Sequence, residues 1–130
     1  MSRKYQLGDL QLAIMKVLWA NGEASASRVH RTLWEERGLA PTTIATMLRK
    51  MEEKGVVSHV LEGRKFVYRP EITEDGVRRS MVEQLAQRLF SGDVAAFASY
   101  LISEGTIDSD ELSELEKLVA QKGRSDREEH

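Results

Sequence analysis

The sequence predicts a mainly α-helical fold with one small β-hairpin. Apolar residues recur at helical spacing three times before residue 55, and three more such stripes follow residue 72. Between them lie two short runs rich in β-branched and aromatic residues, separated by a glycine turn, which is typical of a hairpin. Three helices followed by a hairpin are the order of a winged helix-turn-helix, here continued by further helices.

Composition limits the functional classes. With 130 residues, 41% of them hydrophobic, the chain suits one domain with an appendage or two small lobes. No apolar run approaches the roughly 20 residues of a membrane span, and no signal-peptide segment is present. Zero cysteines and three scattered histidines offer no metal or nucleophile site. We therefore expect a cytoplasmic protein without membrane insertion, metal, cofactor or catalytic residue.

Charge divides the chain into two unlike parts. Residues 1–70 hold twelve Lys/Arg and seven Asp/Glu, whereas residues 71–130 hold seven Lys/Arg and fourteen Asp/Glu. A basic half joined to an acidic half suggests that only the first contacts a polyanion. Two ordinary solvated surfaces are the alternative.

The first two predicted helices are bounded by local signals. Helix one follows Gly8-Asp9 and ends at Asn21-Gly22, and helix two begins after the N-cap Ser25 and ends at Arg37-Gly38. A helix that precedes a DNA-reading helix usually crosses the DNA backbone, which makes cations on helix two candidate phosphate contacts. Those cations are Arg28 and Arg31, for which a merely solvated face is an equal alternative.

The third helix has the most informative surface. Pro41 suits its first position and Gly55 its end, while Ile44, Leu48 and Met51 share one face. The opposite face carries hydroxyls first and cations later, groups that contact base edges and phosphates. The candidate DNA contacts on this face are Thr42, Thr43, Thr46, Arg49 and Lys50.

The hairpin is predicted from residues 56–61 and 66–69, with Gly63 at the turn and Pro70 ending the ladder. Phe66 and Tyr68 fall on one face of their strand, where we expect both to cover the core. The tip cations Arg64 and Lys65 are candidates for phosphate or minor-groove contact.

Three groups of residues resemble one known family. The run from Thr42 to Gly55 is similar to the TT-x-x-T-x-L-x-x-(L/M)-x-x-KG segment of the penicillinase-repressor (BlaI/MecI type) family. Gly63-Arg64 with Tyr68 and Pro70 resembles the G-R-x-x-x-Y-x-P wing of that family. Leu7-Gly8-Asp9-Leu10, with Met15 and Leu18-Trp19, resembles its first helix.

The resemblance implies a homodimeric repressor of a double-stranded DNA operator with dyad symmetry. Thr42, Thr43, Thr46, Arg49 and Lys50 would then face the major groove, and Arg64 would serve the wing. Some relatives are released when a membrane sensor protease system leads to their cleavage at an Asn-Phe bond, but this chain has Tyr100-Leu101 there and no Asn-Phe pair. The thiolate copper-sensing branch is excluded, because the chain has no cysteine.

The second half carries three more apolar stripes. About 50 residues give a marginal core, so we expect these helices to pair with a second copy, although a private three-helix lobe is the alternative. The predicted organisation is a winged-helix DNA-binding domain over 1–71, a dimerisation region over 72–122 and a disordered tail over 123–130. The predicted dimerisation residues are Val77, Met81, Leu85, Leu89, Phe97, Leu101, Leu112 and Leu115.

Two other functions fit the same pattern. A winged helix can serve as a protein-interaction module, and a small-molecule-responsive regulator could hold an effector between the wing domain and the dimer helices.

Overall fold

A computed structural model describes Tyr5 and residues 7–128, with side chains as far as residue 124. One compact unit ends at Val82 and a second begins at Glu83, so the boundary falls inside a helix. The elements in order are α1 (Asp9–Asn21), β1 (Ala24–Ser25), α2 (Ala26–Arg37), α3 (Pro41–Glu53), β2 (Val57–Glu62), β3 (Lys65–Pro70), α4 (Glu74–Phe90), α5 (Val94–Ser103) and α6 (Ser109–Glu128).

The caps predicted for the first three helices are in place. Ser25 Oγ accepts a hydrogen bond from the Arg28 amide at 3.1 Å, which satisfies one free N–H group at the start of α2. Gly38 ends α2 in the left-handed conformation, and its N–H donates to the Trp34 carbonyl. Pro41 opens α3 as predicted. These local signals therefore confirm the helix bounds.

The sheet has three antiparallel strands in the order β1-β3-β2. Glu62 pairs with Lys65, so the hairpin turn is only Gly63-Arg64, shorter than the four-residue connection predicted. Gly63 has φ +65° and Arg64 has no positive φ, the pattern of a type II′ turn that favours glycine at its first central position. The two-residue strand β1 was not predicted, because two residues are too few to show alternation.

The core of the first unit lies where α1, α2, α3 and the base of the hairpin meet. Its fully buried side chains include Ile14 and Leu18 of α1, Leu33 of α2 and Leu48 of α3. Trp19 Nε1 donates to the Ile72 carbonyl at 2.9 Å, which ties the end of α1 to the segment between β3 and α4. This core holds α3 and the hairpin in one body.

The start of α4 belongs to this core, which corrects part of the sequence interpretation. Val77 is almost fully buried in the core cluster and Met81 packs against it, although we had assigned both to dimerisation. The apolar stripe forms one face of α4, as its spacing predicts, but its first residues cover the winged-helix core of their own chain. The first unit accordingly extends to Val82, beyond the predicted boundary at residue 71.

The second unit consists of the end of α4 with α5 and α6. Asp93 Oδ1 accepts from the Ala96 amide at the start of α5. At the start of α6, Asp108 and Glu111 form a reciprocal capping box, which their spacing of three residues favours. The sequence predicts a disordered tail over 123–130, but α6 continues to Glu128, because Gly123 lowers helix propensity without ending the helix; residues 129–130 lie outside the described residues.

Candidate nucleic-acid interface

The two faces of α3 have opposite environments. Ile44, Leu48 and Met51 are buried, and Met47 is half-buried against the core. This burial fixes the rotation of the helix and leaves its polar face to solvent. All five candidate contacts on that face are exposed, namely Thr42, Thr43, Thr46, Arg49 and Lys50.

The cations of this surface differ in their neighbours. Among the side chains that the structure describes, no carboxylate forms an ion pair with Arg49 or Lys50 of α3. The guanidinium of Arg28 donates to Asn21 Oδ1 at 3.0 Å, which holds it against the end of α1, and Arg31 is exposed one turn away. The helix-three cations are thus available to an anion without breaking an existing pair.

The wing tip carries a second pair of cations. Arg64 occupies the second central position of the turn and Lys65 begins β3, and both side chains are exposed. Neither forms an ion pair with a carboxylate in the described part of the chain. Further down β3, Arg69 is bound to Glu23 at 2.7 Å, and this bond raises the pKa of the Arg69 guanidinium. The tip cations, not Arg69, are therefore the candidates for a phosphate.

One prediction about the wing is wrong. Tyr68 is buried in the core as expected, but Phe66 is 48% exposed. Both side chains lie on the same face of β3, so the alternation was correct. The body of the domain covers only the base of the hairpin, and Phe66 lies near its outer end.

Sequence reasoning did not identify the junction between α3 and the wing. His59 Nδ1 lies 2.5 Å from Glu52 Oε1, and the His59 ring packs edge-on against Phe66 and tilted against Tyr68. Burial and the negative charge of Glu52 raise the pKa of the Tyr68 phenol, while the Arg49 charge acts in the opposite direction. The sequence shows these residues singly, but only the strand register places His59 opposite Tyr68.

Within residues 7–128 and Tyr5, no cluster of three or more His, Asp or Glu side chains is arranged to hold a metal ion. None of the described helices combines the length and apolar character that crossing a bilayer requires.

Fold and site together define a winged helix-turn-helix of the DNA-binding class, with a helix that presents hydroxyls and cations beside a basic wing. The chain belongs to the penicillinase repressor family, whose family model matches residues 7–121. It is therefore a transcriptional repressor of the BlaI/MecI type and not an enzyme. The family inferred from the α3 and wing motifs is confirmed.

Relatives and solved structures agree with this assignment. The chain is 32% identical over 123 residues to the transcriptional regulator BlaI of Mycobacterium tuberculosis, covering 93% of this chain and 88% of that one. It is 28% identical over 114 residues to the penicillinase repressor of Bacillus licheniformis, covering 88% of this chain and 89% of that one. A solution structure of the Bacillus licheniformis BlaI monomeric form in complex with the blaP half-operator matches with a TM-score of 0.51 and 37% identity, covering 58% of this chain and 93% of that one.

Proposed function

We propose that this repressor binds a double-stranded DNA operator of dyad symmetry as a homodimer. The observation that carries the proposal is the surface of α3, which is exposed along its whole polar face while its apolar face is buried. In this proposal the hydroxyls and Arg49 contact base edges in the major groove, and Lys50 and the tip cations contact phosphates. Arg28 and Arg31 on α2 would lie along the backbone.

The similarity to a DNA complex supports the DNA-binding part. The matching BlaI structure was determined with a half-operator, and its similarity covers 58% of this chain. One winged-helix unit would therefore read one half of the site. Since a single module supplies limited affinity, a second copy that reads the other half would double the base contacts.

The second unit supplies the surface proposed for dimerisation. Exposed apolar side chains persist on all three of its helices, among them Leu89 on α4, Ile102 on α5 and Leu118 on α6. A short helical segment that leaves this much apolar surface in water is better satisfied by an isologous partner. Of the residues predicted for dimerisation outside the first core, Leu85, Leu89 and Leu115 are exposed, and Phe97, Leu101 and Leu112 are half-buried.

Selection from a randomised duplex library with the full-length protein tests the proposal. We expect enrichment of sequences with two inverted half-sites about one helical turn apart. Affinity for them should fall steeply with salt, because each phosphate contact contributes about −0.9 to the slope of log affinity against log salt concentration. A folded dimer that enriched no sequence would overturn the proposal and favour a protein-interaction module.

Release of the repressor by a membrane sensor protease system is the last step of the proposal. The chain lacks the Asn-Phe pair, so a cleavage site would have to be another bond, and the corresponding position is Tyr100-Leu101 of α5, where Tyr100 is exposed and Leu101 half-buried. An immunoblot of cells challenged with a β-lactam would test it. A shortened chain is expected under this hypothesis, and an intact chain under derepressing conditions would contradict it.

A further inference from the structure

One side-chain contact ties the wing to α3. His59 Nδ1 of β2 lies 2.5 Å from Glu52 Oε1, and 33% of the His59 side chain and 36% of the Glu52 side chain are exposed. In the described part of the chain, no other side-chain hydrogen bond or ion pair joins α3 to the hairpin. The Glu52–His59 contact is therefore the polar link between the two elements proposed to bind DNA.

His59 lies where the hairpin leaves the body of the first unit. Val57 and Tyr68 at the base of the hairpin belong to the buried core, whereas residues 60–66 are all exposed. The His59 ring contacts Phe66 and Tyr68 of β3, with ring centroids 5.0 and 5.4 Å apart, and its Nδ1 contacts Glu52. The direction of the outer hairpin is therefore set at the level of His59.

A small tilt of the hairpin at this level would displace the tip cations. The turn begins after Glu62 and lies about 10 to 15 Å beyond His59, because each strand residue adds about 3.3 Å. A tilt of about 10° would move Arg64 by about 2 Å, enough to break a hydrogen bond of ordinary length. The angle between hairpin and α3 thus determines whether α3 and Arg64 can contact one duplex together.

The strength of the Glu52–His59 contact depends on protonation, because histidine changes charge between about pH 5 and about pH 8. A neutral imidazole with its proton on Nδ1 can donate to Glu52, but an imidazolium donates a stronger, charge-assisted bond. The other titratable or charged groups near His59 among the described residues are Tyr68 of β3 and Arg49 of α3, whose charge acts on the Tyr68 phenol. The phenol stays neutral and the guanidinium stays charged in this pH range, so His59 is the group whose charge changes.

We propose that Glu52 and His59 are positioning residues for DNA binding: their contact fixes the tilt of the wing against α3, and protonation of His59 strengthens it. Neither residue needs to touch DNA, because both act through the tip cations Arg64 and Lys65. The inference rests on the proposed function, since only a protein that binds one duplex with both elements gains from a fixed angle between them. The repressor then holds its operator more tightly as the pH falls from about 8 to about 6.

The experiment measures binding of the full-length protein to a duplex enriched by the wild type, by fluorescence anisotropy at about pH 6 and about pH 8 and one salt concentration. His59→Gln and Glu52→Gln each remove a titratable group and keep a polar side chain. Glu53→Gln is the matched control for Glu52→Gln, because it removes the adjacent, exposed carboxylate of α3. His30→Gln controls for a second histidine, which contacts the Leu39 carbonyl.

We expect the wild type to bind about two- to fivefold more tightly at the lower pH, the range expected for a partly exposed ion pair. His59→Gln and Glu52→Gln should each lose this difference, whereas Glu53→Gln and His30→Gln should keep it. All four positions are at least partly exposed, so every variant should remain folded.

A double-mutant cycle tests whether His59 acts through the tip of the wing. In a background of Arg64→Ala and Lys65→Ala, His59→Gln should cause no further loss of affinity at the lower pH, because the tip has no cations left to misplace. A residue that touched DNA itself, or that only stabilised the fold, would cause the same loss in both backgrounds.

Three results would overturn the inference while leaving the proposed function intact. The first is equal wild-type affinity at both pH values. The second is a full pH difference in Glu52→Gln, which would mean that the His59 charge acts on DNA directly. The third is additive losses in the double-mutant cycle. Failure of the wild type to enrich any duplex would instead overturn the proposed function itself.

Discussion

Arg49 and Arg64 carry the same charge at positions that predict different effects on DNA binding. Arg49 extends from the helix proposed to enter the major groove, whereas Arg64 lies at the turn of the wing. Arg49→Ala should cost about 1–3 kcal/mol on the enriched duplex and relax the preference at one base position, because a bidentate base contact is lost. Titration against the enriched duplex and its single-base variants measures both effects.

Two other variants, Lys16→Ala and Arg64→Ala, serve as the control and the contrasting case for Arg49→Ala. Lys16→Ala removes an exposed cation from α1, an element that carries none of the proposed DNA contacts, and should leave affinity and base preference unchanged. Arg64→Ala should weaken all duplexes to a similar extent. If Arg49→Ala bound the enriched duplex as well as Lys16→Ala at moderate salt, the assignment of α3 to the major groove would be wrong.

Tyr68 makes stability depend on pH at the alkaline end. Burial is the larger cause, and the Glu52 charge the second, that raises the pKa of the Tyr68 phenol above the ordinary value of 10.0. The folded state therefore retains the phenolic proton more strongly than the unfolded state does. Its contribution is fully present below the unfolded pKa and is lost as pH rises through the folded pKa. Urea unfolding between about pH 9 and about pH 11 should therefore show a smaller decline for Tyr68→Phe than for the wild type.

The matched control is Tyr100→Phe, which deletes a hydroxyl from an exposed tyrosine of α5. It should leave the alkaline decline in place. An equal decline in the wild type and Tyr68→Phe would show that Tyr68 does not carry this pH dependence.

At the scale of elements, the start of α6 offers a clear test of a cap. Asp108 Oδ1 accepts from the Glu111 amide at 2.8 Å, and Glu111 Oε1 accepts from the Asp108 amide at 3.1 Å. Asp108→Ala should lower the free energy of unfolding by about 1 kcal/mol, measured by urea titration at a fixed protein concentration. Asp110→Ala removes a carboxylate from the same turn but not the cap, and it should cost only a few tenths of a kcal/mol. Equal losses for the two variants would contradict the capping role.

Elements defined by local chemistry could be predicted from the sequence, because their signals act within a few residues. Ser25, Pro41 and the Asp108–Glu111 pair each mark a helix end that the structure reproduces. Burial of a face was harder to predict. Alternation placed Phe66 and Tyr68 on one side of β3, yet only the extent of the neighbouring body decides that Tyr68 is covered and Phe66 is not.

The candidate site shows the same limit. The polar face of α3 follows from helical periodicity, so its five exposed side chains could be predicted before their environment was known. The Glu52–His59 contact could not, because it joins two elements and depends on the strand register. Likewise, the stripe of α4 shows an apolar face, but not that Val77 would be used by the core of its own chain.

At the scale of the whole molecule, the two units divide the proposed function between them. The basic first 70 residues hold the proposed DNA contacts, and the acidic remainder holds the exposed apolar helices. An acidic dimerisation unit would be repelled by DNA phosphates, which would favour binding through the wing domains. Affinity for a complete operator would then depend on a surface that makes no DNA contact.

Leu118→Glu tests that dependence. Leu118 is 58% exposed on α6, so a glutamate there should leave the fold intact, whereas burial of its charge in an apolar dimer interface would cost several kcal/mol. We expect sedimentation equilibrium to show a dissociation constant raised about 100-fold, equivalent to about 2.7 kcal/mol. Ser113→Glu adds the same charge to an exposed polar position of α6 and should remain dimeric. Leu118→Glu should bind a half-operator as the wild type does and lose the extra affinity for the full site. If Leu118→Glu stayed dimeric, the proposed dimer interface would have to lie outside α6.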